Sequence, residues 1–115
     1  MTTYELGEPL ASRTLRFRRH TGEVVDVTVS IGMPIADEEQ PGRAWICPFR
    51  IRGIRDEPVR TIFGVDAMQA LILALHTLPT ELRSVAREES GSFPDSDEDL
   101  GLTHACAVHL GAGDR

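Results

Sequence analysis

Three side chains near the end of the chain, His104, Cys106 and His109, are of the types that bind zinc or copper. In an extended segment His104 and Cys106 share a face, and in a helix Cys106 and His109 do. Neither geometry gathers all three. A fourth ligand would have to come from His20, His76 or the acids between Asp95 and Asp99. The plainer reading is a tail that happens to hold two histidines, so no metal or other cofactor is implied. Asp95, Asp97 and Asp99 alternate as in a calcium loop, but Leu100 and Cys106 stand where an EF-hand needs Gly and Glu. A solvated acidic loop fits better. Cys47 could act as a nucleophile only with exposure and a neighbouring base. It sits instead among apolar residues, on one strand face with Phe49 and Ile51, and reads as a buried thiol. No G-x-S-x-G elbow or phosphate-cradling glycine loop occurs, and no catalytic residue is assigned.

The other chemically able group is cationic. Arg16, Arg18, His20, Arg50 and Arg52 fall on the outward positions of alternating segments, relieved only by Asp26. Some RNA-binding modules use an open sheet face in this way, but they place aromatics there for base stacking. Here Phe17 and Phe49 fall on the inward face. The plain reading is a solvated face with cross-strand polar pairs. The functional reading is a surface for an acidic protein, or for this chain's own acidic segment at Asp95 to Asp99. Leu73 is a further candidate. It projects opposite the main apolar stripe of a helix, near Gln69, His76 and Thr77, where it could seed a homodimer or a partner contact.

The elements that must position these residues are well marked. Arg13 to His20 alternates, with Leu15 and Phe17 inward. Thr21-Gly22 makes a turn, and Glu23 to Ile31 alternates with Val25, Val27, Val29 and Ile31 inward. This spacing predicts a β-hairpin. Ala44 to Gly53 is a third strand, with Trp45, Cys47, Phe49 and Ile51 on one face and Ile46, Pro48, Arg50 and Arg52 on the other. Pro48 cannot donate to a ladder, so this strand is expected at an edge or with a bulge. Val59 to Val65 is a shorter fourth strand. Asp66 and Gln69 then form a capping box. Met68, Leu71, Leu75, Leu78, Leu82 and Val85 recur at spacings of three and four. The spacing runs straight across Pro79 and predicts one kinked helix over residues 67–88. The fold class is α+β: an antiparallel sheet of about four strands with one helix on one face. Residues 1–12 read as a flexible lead-in with Tyr4 and Leu6 touching the core, 13–89 as a single domain, and 90–115 as an acidic loop and flexible tail.

At 115 residues one core can form without disulfides or metal. All 12 basic residues are Arg, which a GC-rich coding bias explains more simply than selection for guanidinium chemistry. The net charge of −6 lies wholly in residues 61–115, since residues 1–60 balance nine Arg against nine acids. An acidic chain is a poor candidate for nucleic acid or an anionic membrane and suits a basic partner. Neither a signal peptide nor a membrane span is visible, so a cytoplasmic protein with reduced thiols is expected.

The runs Trp45-Ile46-Cys47-Pro48-Phe49-Arg50-Ile51-Arg52-Gly53 and Gly64-Val65-Asp66-Ala67-Met68-Gln69-Ala70-Leu71 carry a resemblance. Over residues 44–82 the chain resembles a family of small bacterial proteins, a domain of unknown function. That family shares a W-x-C-P-[FY]-x-I-x-G strand and a G-[VI]-D-x-x-Q-A-L helix start. The resemblance implies a fold and a bacterial origin and carries over no activity. The leading expectation is a non-catalytic protein-binding module of a bacterial cytoplasm, its partner unknown, with an immunity- or antitoxin-like role as one form by analogy. The alternative is a metal-dependent or thiol enzyme using His104, Cys106, His109 and Cys47.

Overall fold

The computed structural model describes residues 4–38 and 44–94, together with Leu100 and Leu102. The predicted hairpin forms from β1 (Pro9–Arg18) and β2 (Val24–Gly32), antiparallel, with Arg18 opposite Val24 and Thr14 opposite Thr28. β1 starts at Pro9, earlier than the expected Arg13. Leu15, Phe17, Val27, Val29 and Ile31 are buried on one face, as their alternation requires.

β4 (Trp45–Arg52) is the centre of the sheet rather than an edge. One of its edges pairs with β2 and then with the two-residue β3 (Ile35–Ala36), and the other pairs with β5 (Arg60–Gly64). Ile31 lies opposite Phe49 and Ile35 opposite Ile46, so Gly32, Met33 and Pro34 face only Cys47 and Pro48. That extra residue is a bulge. The expected irregularity is therefore present, but in the segment between β2 and β3 that pairs with β4 rather than in β4 itself. A ladder already interrupted is one of the few places where a sheet interior accommodates proline.

α1 (Ala67–Glu88) spans the predicted range and runs unbroken through Pro79. Its start is capped on both sides. The Gln69 N–H donates to Asp66 Oδ1 at 2.8 Å, and the Val65 N–H donates to Gln69 Oε1 at 2.8 Å. The helix buries Ala70, Ala74, Leu78, Pro79, Leu82, Val85 and Ala86. Met68, expected in the buried stripe, is 70% exposed, and Leu71 and Leu75 are half-buried at its margin. The reason is close approach. A side chain at Gly64 would run into the backbone of Ala70, so the first turns sit tight against β5 on their small residues. The large residues are thereby pushed to the flank.

The helix ends in a Schellman turn: the Gly91 N–H donates to the Ala86 carbonyl, and the Ser90 N–H to the Arg87 carbonyl. Ser90 takes the left-handed conformation that this requires, with φ of 57°. The chain then pairs with the free edge of β1 through reciprocal Arg18–Ser92 hydrogen bonds of 2.8 and 3.0 Å. Phe93 packs on Phe17, with ring centroids 5.3 Å apart. Leu100 is buried in the same core cluster and Leu102 packs against it.

A charged network ties the C-terminal half of α1 to the segment between β4 and β5. Arg55 meets Glu57, Glu88 at 2.7 Å and Glu89 at 3.1 Å, while Arg60 meets Glu81 at 3.1 Å. Hydrogen bonds to Glu57, then Glu88 and Glu89, hold the Arg55 guanidinium above even its usual high pKa. Among the described residues, no helix is long and apolar enough to cross a membrane.

Candidate functional site

The sheet has one face under α1 and one face away from it. On the outer face the strand registers set side chains in rows. Thr28 lies beside Arg52, Ser30 beside Arg50, and Arg16 beside Asp26. This face is divided. Toward the bulge it is apolar, with Ile46 only 3% exposed and Pro48 buried. Toward the far end of β4 it is polar and basic.

Residues 4–8 lie over the apolar half as a strap. The Tyr4 ring meets Phe63 edge-on at 6.4 Å, and the Met33 N–H donates to the Glu8 carbonyl at 2.8 Å. The Leu6 carbonyl sits where any side chain at position 32 would be, so Gly32 is the seat of the strap. The expectation that Tyr4 and Leu6 touch the core is thus corrected: they touch the sheet, on the face opposite α1. The exposed-side apolar pair Ile46 and Pro48 is the sequence signal that could have located this cover.

Between strap and strands opens a cleft of about 380 Å³. Tyr4, Glu5 and Leu6 form one wall, and Ser30, Arg50, Arg52 and Val59 the other. The two arginines differ. Arg50 is half-buried and its Nε donates to the Glu57 carbonyl at 3.3 Å. Arg52 is exposed and, among the described residues, makes no ion pair or hydrogen bond. The turn that follows Arg52 is held by Arg19, whose guanidinium donates to the carbonyls of Gly53 and Ile54 at 3.1 and 3.0 Å. The cleft therefore presents one fixed and one available guanidinium beside a hydroxyl, a donor set suited to carboxylates.

The other candidates separate. Arg16 and Arg18 are exposed on β1, on the same face but outside the cleft. His20 lies past the end of β1, in the hairpin turn. Leu73 is on α1, on the opposite side of the sheet, and is 40% exposed beside Ile72 at 45%. Cys47 is fully buried. Its Sγ lies 3.6 Å from the Gly32 carbonyl, and burial pushes the thiol pKa up, which disfavours a thiolate. His104, Cys106, His109, Asp95, Asp97 and Asp99 lie outside the described residues. Among the described residues, no group of three or more His, Cys, Asp or Glu side chains is placed to hold a metal ion.

Residues 11–104 match the model of a domain of unknown function, DUF6968. The chain belongs to the DUF6968 family. The matched stretch takes in Ser30, Gly32, Arg50 and Arg52 and begins after the strap. The family's description assigns no reaction. No curated protein and no solved structure matches the chain.

Proposed function

We propose that this DUF6968 domain is a non-catalytic protein-binding module of a bacterial cytoplasm, and that its outer sheet cleft receives an acidic segment of a partner protein. The observation that carries this reading is the state of Arg52. Arg19, Arg55 and Arg60 are each engaged by acids or carbonyls of the chain, whereas Arg52 stands exposed at the wall of a concave site with Ser30 and Arg50 beside it. The local donors, two guanidinium groups and a hydroxyl, suit a carboxylate as the counter-charge even though the chain as a whole is acidic. An immunity- or antitoxin-like role would add a basic partner for the acidic residues 61–115, by analogy alone. The enzyme alternative gains nothing from Cys47, whose thiol is sealed in the core.

The test is titration of the ¹⁵N-labelled full chain with a Glu-rich peptide at low and at moderate salt. Shifts at Ser30, Arg50 and Arg52 that weaken with salt are expected. Absence of shifts there, or shifts confined to α1, would overturn the reading. A homodimer through α1 is a second proposal, favoured by the exposure of Met68, Ile72 and Leu73 on one helix. Sedimentation that is concentration-dependent in the wild type and not in Leu73→Ala would support it, and a monomer at all concentrations would remove it.

A further inference from the structure

We propose that residues 4–8 are a self-ligand: the strap occupies the apolar half of the outer groove in place of the partner. The partner segment then carries the strap's own chemistry, an extended run in which an aromatic, an acidic and an aliphatic residue follow one another. This rests on the reading of the outer face as a binding surface, and adds what binds there and what must leave first.

Four observations converge. The strap reads Tyr4-Glu5-Leu6, with both apolar side chains half-buried against the sheet and Glu5 exposed between them. Its seat is cut to backbone dimensions, because a side chain at Gly32 would collide with the Leu6 carbonyl and the Pro48 ring. Residues 4–7 are irregular and pair with no strand, and the strap's backbone is tied to the sheet at Glu8, whose carbonyl accepts from the Met33 N–H, rather than by a ladder. Such a segment is replaceable. Finally, Glu5 lines the cleft with Arg50 and Arg52 but forms no ion pair with either, which leaves that charge for an incoming carboxylate. A partner with a better-placed acid gains an interaction that the strap forgoes.

The groove is then competent only in the fraction of molecules whose strap is lifted, and the apparent affinity is reduced by that fraction. The probe is a fluorescein-labelled peptide copying residues 3–9, read by anisotropy against three full-length proteins: wild type, Tyr4→Ala/Leu6→Ala, and the same double variant with Arg52→Glu. The double variant changes the strap alone, and an unchanged NMR pattern for α1, on the other side of the sheet, confirms its fold. Loosening the strap should tighten peptide binding by roughly tenfold or more. Adding Arg52→Glu sets a like charge in the cleft that the peptide's own Glu lines, and should remove part of that gain. Equal affinity for wild type and double variant overturns the inference. If the Glu-rich peptide still shifts Ser30 and Arg52, the parent reading survives that failure; if it does not, both fall. A wild-type dimer that the peptide dissociates would also overturn it, because the strap would then serve a second copy of this chain.

Discussion

On the α1 side of the sheet, Phe17, Val27, Phe49, Leu78, Leu82 and Val85 are sealed against one another, and small residues draw the helix onto β5. On the other side, Ile46 lies opposite Ile35 and Phe63, an irregular strap crosses this apolar half at Gly32 and Phe63, and the half toward the end of β4 carries Ser30, Arg50 and Arg52. Both faces bury apolar side chains, but by different means. The inner face uses an element fixed by caps at both ends and by the Arg55 network. The outer face uses a few residues that belong to no strand. The difference is one of means: a capped, ion-paired helix covers one face, and an irregular segment that pairs with no strand crosses the other.

The comparison breaks most visibly in the core. Leu82→Ala removes a fully buried side chain between α1 and the sheet, and should destabilise the fold by roughly 2–5 kcal/mol in denaturant titration. Met68→Ala, one face of the same helix away, should stay within about 0.5 kcal/mol of wild type. A larger loss at Met68 than at Leu82 would mean the helix is docked in another phase. The caps come next. Asp66→Ala deletes the acceptor of the Gln69 N–H and should cost roughly 0.5–2 kcal/mol, seen as a lower melting temperature. The smallest effect has the opposite sign. Ser90→Gly relieves a left-handed residue in the Schellman turn and should stabilise by on the order of 0.5–1 kcal/mol. A destabilised Ser90→Gly would show that the turn is not formed as described.

Much of the inner face is legible in the sequence. Asp66, Gln69 and the three-four spacing place α1 residue for residue, and alternation places Leu15, Phe17, Val27, Val29 and Ile31. Met68 misleads because a stripe traced through large side chains ignores Ala70 and Ala74, and it is the small residues that choose the contact. Pro48 misleads because strand position is set by pairing partners far along the chain, and no local rule shows that a bulge at Gly32 to Pro34 will lie opposite. The outer site is half legible. Alternation puts Arg50 and Arg52 on one face, but Tyr4 to Glu8 has no periodicity, so its path depends on Gly32 and Pro48 meeting in space. Arg16, Arg18, His20 and Leu73 are individually exposed, as their positions suggest, but the fold gathers none of them into the cleft.

We propose that the outer face serves binding while the inner face holds the fold. The most direct test is a paired measurement on Arg52→Glu. A thermal melt within about 0.5 kcal/mol of wild type is expected, since Arg52 is exposed and unpaired among the described residues. Loss of salt-sensitive binding to a Glu-rich peptide is expected in the same sample. A variant that melts early, or that binds the peptide as well as wild type does, would contradict it.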